Sequence, residues 1–127
     1  MARAGAGVLQ TGVTMSASEQ QIIEQYYACF NRGDWDGMCA HLSDDVAHDL
    51  NQGDREVGRT AFRAFLDRMN TSYRERLTDI VVLAGPGRAA AEYVVHGEYL
   101  VSDEGLPPAR GQRYVLPGGA FFELAHG

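Results

Sequence analysis

The hydrophobic pattern of this 127-residue chain changes its period near residue 73. Before that point, apart from a short strand pattern at 46–51, apolar residues recur at helical spacing on one face. After that point the pattern is that of strands, with glycine and proline between the apolar runs. Helices followed by antiparallel strands predict an α+β fold and exclude a parallel, doubly wound sheet.

Three segments carry helix signals. Ser18 and Gln21 have the spacing of a capping box, and the apolar run after them ends at Gly33, which suits a left-handed helix end. Asp34 is placed to cap a short second helix. A third helix is predicted over 60–73, where apolar residues form one stripe.

The strand pattern divides the rest of the chain. Strands are predicted over 46–51, 77–84, 89–101, 112–116 and 120–124, with a polar loop at 52–58 and turns at 85–87 and 117–119. We interpret 18–127 as one domain and 1–17 as a flexible extension, in which Met15 is an alternative start.

Charge and composition restrict the partners. The formal net charge is −6 with no basic run, so neither nucleic acid nor an anionic membrane surface is an expected partner. All 11 positive residues are arginines, which excludes lysine chemistry such as Schiff-base formation. No segment approaches the ~20 apolar residues of a membrane-spanning helix.

The two cysteines indicate no metal or redox motif. Cys29 and Cys39 lack CxxC spacing, and both lie in predicted helices, where cysteine is commonly a small buried residue. A disulfide between them is not indicated, and we expect a reduced, cytoplasmic protein. Neither a metal nor an organic cofactor is expected.

Three segments resemble a known superfamily. The run IIEQYYACFNRGDWDGMCAHLSDDV at 22–46 resembles the first two helices of the ketosteroid isomerase and SnoaL-like branch of the nuclear transport factor 2-like proteins. REVGRTAFRAFLDRM at 55–69 is similar to the third helix of that branch, and RGQRYVLPGGAFFEL at 110–124 to its paired strands. The resemblance covers roughly 18–127.

The resemblance implies a cone-shaped α+β barrel. Three N-terminal helices would pack on a curved antiparallel sheet that encloses an apolar pocket, and two copies would form a homodimer through the sheet face. Relatives continue after a turn like 125–127 into a final strand, which this sequence is expected to lack. An unpaired sheet edge would then favour unusual oligomers.

Steroid isomerases of this fold use a carboxylate base, a tyrosine and a protonated aspartic acid. The resemblance places the tyrosine at Tyr26, the base at Leu50 beside Asp49, and the acid at Gly119. Strand alternation puts His48 on the side of Leu50 and Asp49 on the other, unless a bulge reverses them.

Tyr26, His48 and Asp49 are therefore the catalytic candidates, with neutral His48 as the favoured base. The structural alternatives are a core tyrosine and a core-edge histidine.

The candidates for substrate binding come from five segments. The resemblance directs Arg113 inward, where it would hold a carboxylate or carbonyl group, although an ion pair with Glu98 or Glu123 on the sheet surface is an equal alternative. His96 is expected on the outer face, and no metal site is assigned. The full set of binding candidates is Trp35, Leu50, Phe62, Tyr93, Val95 and Arg113.

Three functions remain open from the sequence. The first is acid/base proton transfer on a small apolar carbonyl compound in a buried pocket, as in isomerases or in SnoaL-like lyases and hydrolases. The second is non-catalytic binding of a small apolar molecule, which the missing carboxylates at Leu50 and Gly119 favour. The third is a dimeric protein-interaction domain of the same fold.

Overall fold

The computed structural model describes residues 19–51 and 53–127. The predicted extension at 1–17 and the cap at Ser18 lie outside the described residues. Three helices and five strands follow one another in the order α1 (19–32), α2 (Trp35–Ala40), β1 (Ala47–Asp49), β2 (Arg55–Val57), α3 (Arg59–Ser72), β3 (Tyr73–Gly85), β4 (Arg88–Tyr99) and β5 (Gln112–Glu123).

The end of α1 and the start of α2 form as the sequence predicts. Gly33 adopts a φ of 70°, a left-handed conformation that is costly for residues with a Cβ atom. The Asp34 carboxylate then accepts a hydrogen bond from the Gly37 N–H at 2.9 Å, which satisfies one of the unpaired donors at the start of α2. Two local signals thus place α2 directly after α1.

Several predicted strand boundaries are wrong. The loop predicted at 52–58 contains the short strand β2, which pairs with β1. The strand predicted to start at Leu77 begins at Tyr73, directly after α3. The two strands predicted within 112–124 are one continuous strand, β5. Pro117 does not interrupt it because an edge strand tolerates a missing N–H on its unpaired side.

The strands form two separate antiparallel sheets. β1 and β2 make a hairpin, whereas β3, β4 and β5 make a three-stranded sheet in that order. A register shift between Thr78 and Val81 marks a bulge in β3. The barrel expected from the resemblance is not closed, because no described strand links the free edge of β1 to the free edge of β5.

The core consists of two clusters, one on each side of α1. Between α1 and the sheet lie Ile23, Tyr27, Leu77, Val82, Ala89 and Ala91. Between α1, α2 and α3 lie Cys29, Met38, Cys39, Phe62 and Leu66, with both cysteines as free thiols. α1 therefore packs on one face of the sheet, and α2 and α3 pack on the other side of α1, in agreement with the expected α+β fold. No helix among the described residues is long and apolar enough to cross a membrane.

Candidate functional site

A single acidic side chain lies on the inner face of the three-stranded sheet. Along β3, up to the bulge, partly or fully buried positions alternate with exposed ones, and the strand register places the odd-numbered residues of β4 and the even-numbered residues of β5 on the same, inner face. Among the inner positions of these described strands, Glu75 is the one carboxylate, and most of its neighbours are apolar or aromatic. A carboxylate in such surroundings is a candidate for proton transfer.

Tyr114 reaches this carboxylate across the sheet. Glu75, Gly97 and Tyr114 lie side by side on β3, β4 and β5 in one line of the register. The Tyr114 hydroxyl donates a hydrogen bond to Glu75 Oε2. A Cβ atom at Gly97 would lie 2.1 Å from Tyr114 Cζ, so the glycine is what allows the ring to cross β4. The pair is therefore built by three strands together.

Two more tyrosines surround the pair. Tyr73 stacks on Tyr99 with ring centroids 5.4 Å apart and meets Tyr114 edge-on at 6.5 Å. The Tyr73 hydroxyl donates to Asp103 Oδ2 at 2.7 Å, in the loop between β4 and β5. These contacts hold the phenol rings at fixed positions around Glu75.

Both phenols beside the carboxylates stay protonated. Burial, and then the hydrogen bond to Glu75, raises the pKa of the Tyr114 hydroxyl above its ordinary value. Burial, and then the hydrogen bond to Asp103, raises the pKa of Tyr73 in the same way. Tyr114 and Tyr73 therefore act as hydrogen-bond donors over the whole physiological pH range.

A cavity of about 220 Å³, called the inner pocket below, opens beside Glu75. Apolar side chains from all three helices form one wall, and Tyr73 and Glu75 form another. The polar side chain of Asn70 also borders it. The apolar wall consists of Phe30, Trp35, Leu66 and Met69. An apolar cavity with a few convergent polar groups is the usual form of a small-molecule site.

A larger opening, called the hairpin cleft below, has a volume of about 970 Å³ and lies between the β1–β2 hairpin and the end of β5. Its charged walls include Asp49 and Arg55, which form a two-point ion pair at 2.6 and 2.8 Å. Both side chains are more than half exposed and satisfy each other. The hairpin cleft is larger than the inner pocket. It is less suited to proton transfer, because the Asp49 carboxylate is exposed and already bound by Arg55.

Tyr26 lies inside the core. Its ring packs against Tyr27, Phe62 and Phe122 at centroid distances of 5.2, 6.5 and 6.0 Å. Burial raises the pKa of its hydroxyl, with a smaller contribution from Tyr93. Tyr26 borders neither the inner pocket nor the hairpin cleft.

His48 packs on α3. The rings of Phe62 and Phe65 flank its imidazole at 5.0 and 4.7 Å, and its Nδ1 atom is buried with no hydrogen-bond partner among the described residues. Burial lowers the pKa of the imidazole, which the nearby carboxylates of Glu56 and Asp49 partly offset. Neither cavity has His48 in its wall.

The alternation expected along β1 is present. His48 is partly buried, Asp49 is exposed, and Leu50 is partly buried just beyond the strand. Hydrogen bonding to Arg55 lowers the pKa of Asp49. The structure therefore directs Asp49 to the solvent side of the hairpin and towards the hairpin cleft.

The remaining candidates are dispersed. Trp35 borders the inner pocket and meets Phe30 edge-on at 5.7 Å, whereas Phe62 is a buried core residue. Tyr93 and Val95 are partly buried and pack on the sheet-side cluster. The inward orientation expected for Arg113 is wrong, because strand alternation gives the inner position to Tyr114 and leaves Arg113 exposed.

The structure brings few of the predicted site residues together. Of the nine, Trp35 borders the inner pocket and Asp49 borders the hairpin cleft. His96 lies on the outer face, where its Nε2 atom is 2.9 Å from Thr78 Oγ1. Among the described residues, no three His, Cys, Asp or Glu side chains are grouped closely enough to hold a metal ion.

Sequence reasoning missed Glu75 and Tyr114. The signal for Glu75 was the alternation of Tyr73, Glu75 and Leu77, which would have moved the start of the predicted strand from Leu77 back to Tyr73. For Tyr114 the available signal was Gly97, since a glycine within a strand often marks the close approach of another group.

Solved structures with similar sequences share this fold. Three bacterial proteins are each described as a "putative polyketide cyclase". The one from Xanthomonas campestris pv. campestris is 63% identical, with 84% of this chain and 81% of that chain covered and a TM-score of 0.82. The protein from Pseudomonas putida KT2440 is 55% identical, with 85% of this chain and 83% of that chain covered and a TM-score of 0.83. The protein from Silicibacter sp. TM1040 is 53% identical, with 84% of this chain and 80% of that chain covered and a TM-score of 0.82.

More distant structures share the fold alone. An epoxide hydrolase of the LEH-like type from M. tuberculosis is 16% identical, with 87% of this chain and 76% of that chain covered and a TM-score of 0.69. Among proteins with curated functions, none matches this sequence. The model of the SnoaL-like domain family matches residues 23–127, which is most of the chain. The chain therefore belongs to the SnoaL-like domain family.

Proposed function

We propose that this chain catalyses acid–base proton transfer on a small aryl or polyketide-type carbonyl compound bound in the inner pocket. The observation that carries the proposal is the hydrogen bond between Tyr114 and Glu75, the one inner-face carboxylate of the sheet. The names of the three bacterial relatives support the substrate class, since cyclisation of a polyketide begins with removal of a proton next to a carbonyl group.

Glu75 is the base in this proposal. Its carboxylate takes a proton from the carbon next to the substrate carbonyl, and the electron pair of the broken C–H bond forms an enolate. The enolate oxygen needs a hydrogen-bond donor, and the Asn70 amide bordering the same pocket is the group that we assign to it. Tyr114 keeps the carboxylate oriented towards the pocket.

The proton then returns. In an isomerisation, Glu75 gives it to another carbon of the same substrate. In a cyclisation, the enolate carbon bonds to a second carbonyl carbon of the molecule, and the resulting alkoxide takes the proton from Glu75. Both routes leave the enzyme in its starting state and need no oxidant, reductant or second substrate.

The volume of the inner pocket limits the bound group. A cavity of about 150 Å³ is sufficient for benzene. The inner pocket, at about 220 Å³, therefore admits one ring with its carbonyl, and the rest of a larger substrate would extend through the mouth. Trp35 and Phe30 are placed to stack on that ring.

The test measures proton transfer directly. Purified protein is incubated in heavy water with acetophenone, α-tetralone or 1-indanone, and exchange next to the carbonyl is followed by NMR. We expect exchange above the buffer rate and a loss of roughly 100-fold in Glu75→Gln, since general acid–base groups contribute on that order. Glu98→Gln is the matched control, because Glu98 lies on the outer face of the adjacent strand. Exchange of none of the ketones, or an equal rate in Glu75→Gln, would overturn the proposal.

The catalytic roles assigned to Tyr26 and His48 from the sequence remain predictions. Tyr26→Phe and His48→Ala belong in the same exchange experiment. If either variant loses activity while Glu75→Gln keeps it, the reaction centre lies on the helical side of the core and not at Glu75.

Non-catalytic binding is the second candidate. The apolar wall of the inner pocket favours it, since its four side chains offer mainly packing contacts to a ligand. Retention of a ketone that protects the protein against thermal unfolding, without any exchange of its protons, would favour binding over catalysis.

A further inference from the structure

Two arginines lie at the mouth of the inner pocket. Arg74 is on β3 between Tyr73 and Glu75, and it is exposed whereas those two residues are partly buried. Strand alternation directs Arg74 away from the inner face, so it borders the pocket where the cavity opens to solvent. Arg32, at the end of α1, borders the same cavity with a side chain that is 61% exposed. The mouth therefore carries two guanidinium groups.

Two hydrogen bonds fix the backbone on which these arginines lie. The Asn31 side chain of α1 donates to the Leu77 carbonyl of β3 and accepts from the Leu77 N–H, both at 2.9 Å. Arg32 follows Asn31 directly, and Arg74 comes three residues before Leu77 on the same strand. The end of α1 is thus held against β3 at the mouth. Such fixed backbone reduces the ordering that binding of a ligand would require.

The positive charge of Arg74 is available to a ligand. Most of the described arginines form ion pairs with aspartate or glutamate side chains. Arg74 forms none with a carboxylate of the described chain, although Glu98 lies across from it in the register. Arg76, Arg110 and Arg113 also lack such a pair within the described residues, but they do not border the inner pocket.

Arg32 adds donors more than charge. Its guanidinium is 3.5 Å from Asp34 Oδ2 and donates to Cys29 Sγ at 3.3 Å. Asp34 offsets the charge of Arg32, yet a guanidinium has five N–H groups, so further donors remain for a ligand. The mouth therefore has one positive charge, that of Arg74, without a matching carboxylate of its own.

We propose that the ligand of the inner pocket is an aryl ketone that carries a carboxylate, and that Arg74 and Arg32 bind this carboxylate at the mouth. The inference rests on the proposed function for the position of the ring and the ketone beside Glu75. A planar guanidinium matches a carboxylate through two parallel N–H···O bonds. A single carboxylate also matches the one unpaired positive charge.

Glu75 does not oppose this mode of binding. The aromatic ring fills the inner pocket and separates the carboxylate of the ligand from that of Glu75. Because Coulomb energy falls with distance, attraction at hydrogen-bond distance from Arg74 outweighs repulsion across the ring. The repulsion instead favours one orientation, in which the ketone end lies at Glu75 and the charged end lies at the mouth.

Binding of two matched compounds tests the inference. 4-Acetylbenzoate and 4-acetylbenzamide share the ring and the ketone, but only the first is charged. NMR titration of the full chain should show tighter binding of the carboxylate by about 10-fold, since hydrogen bonds between charged groups are stronger than neutral ones. Arg74→Gln should remove most of this preference, and Arg32→Gln should remove less of it because Asp34 already offsets its charge.

Arg76→Gln is the matched control. Arg76 is exposed two residues further along β3 and does not border the inner pocket, so this variant should keep the preference. Salt gives a second measurement if Arg74→Gln fails to fold. Raising sodium chloride from about 0.02 M to about 0.5 M should weaken binding of the carboxylate and leave that of the amide unchanged. Equal affinity for the two compounds, binding of neither, or an equal loss in Arg76→Gln would overturn the inference.

The same titrations separate this inference from the proposed reaction. They need no turnover, and the preference for the carboxylate should persist in Glu75→Gln, which removes a like charge from the pocket. A preference that persists while no ketone exchanges its protons would support the arginine site and refute the reaction. Exchange of neutral ketones without any preference for the carboxylate would support the reaction and overturn the arginine site.

Discussion

The Tyr114 hydroxyl donates a hydrogen bond to the Glu75 carboxylate over the top of β4, although the two residues are 39 positions apart in the chain. Gly97 lies between them in the register and leaves the space that the tyrosine ring occupies. The same arrangement recurs further along β4 and β5, where the ring of Tyr93 covers Gly118. Pairs of an aromatic residue and a glycine thus join β4 to β5 at two places on the inner face.

Tyr114→Phe should slow proton transfer without removing the base. Without this contact Glu75 is no longer held in position, and since misplacement of a catalytic group can cost on the order of 100-fold, we expect the exchange rate to fall roughly 10- to 100-fold. NMR exchange with the ketone that the parent protein turns over fastest measures this effect. Unfolding by urea checks that the fold is kept. An unchanged exchange rate in a folded variant would mean that Tyr114 does not orient Glu75.

Gly97→Ala should act on the same contact from the neighbouring strand. The added Cβ would lie 2.1 Å from Tyr114 Cζ, so the ring must move away from Glu75. Overpacking of this kind costs about 1–3 kcal/mol of stability, and exchange should fall as it does in Tyr114→Phe.

Gly85→Ala is the matched control for this substitution. No atom lies within 4 Å of its added Cβ, and the φ of Gly85 is not positive. We expect this control to change stability by less than about 0.5 kcal/mol and to leave exchange unaffected. Equal stability of the two variants in urea would contradict the close approach at Gly97.

The parts of the fold that were predicted from sequence depend on local chemistry. Gly33 ends α1 and Asp34 caps α2 because each acts on backbone within three residues of itself. The order of helices and strands followed from the change in hydrophobic period. By contrast, β2 was missed because three residues with two charges give no apolar pattern, and its formation depends on pairing with β1.

The candidate site was harder to predict because it is assembled from distant strands. Glu75 joins Tyr114 only once β3, β4 and β5 are in register, and no local spacing reports that register. Arg113 was assigned inward by comparison with relatives, and a shift of one position reverses such an assignment. Trp35 borders the inner pocket, whereas His48, which the sequence analysis assigned to the same site, packs on α3.

Asn31→Ala should destabilise the protein, because the Asn31 side chain binds the backbone of β3 at the edge of the three-stranded sheet. Leu77 is 6% exposed, and the Asn31 side chain satisfies both its N–H and its carbonyl. Each buried group left unpaired costs about 1–3 kcal/mol, so we expect a loss of about 2–4 kcal/mol in urea unfolding. Asn51→Ala, in the exposed turn after β1, is the control and should change stability little. A loss in Asn31→Ala no larger than in this control would show that the two hydrogen bonds do not stabilise the edge.

The buried His48 makes stability depend on pH in a definite direction. Burial between Phe62 and Phe65 lowers the pKa of its imidazole in the folded protein below the ordinary value of about 6.5. The unfolded chain therefore binds the proton more readily. Stability is fully present above about pH 6.5 and falls as the pH drops towards the lower, folded-state pKa.

Substitutions around His48 test that direction by thermal unfolding at about pH 7.5 and about pH 5. His48→Phe removes the titrating group and should reduce the fall in Tm between the two conditions. Glu56→Gln removes the carboxylate that favours the charged imidazole and should make the fall steeper. If His48→Phe keeps the full dependence of the parent protein, or if Glu56→Gln flattens it, the acid sensitivity originates elsewhere in the chain and His48 is not its cause.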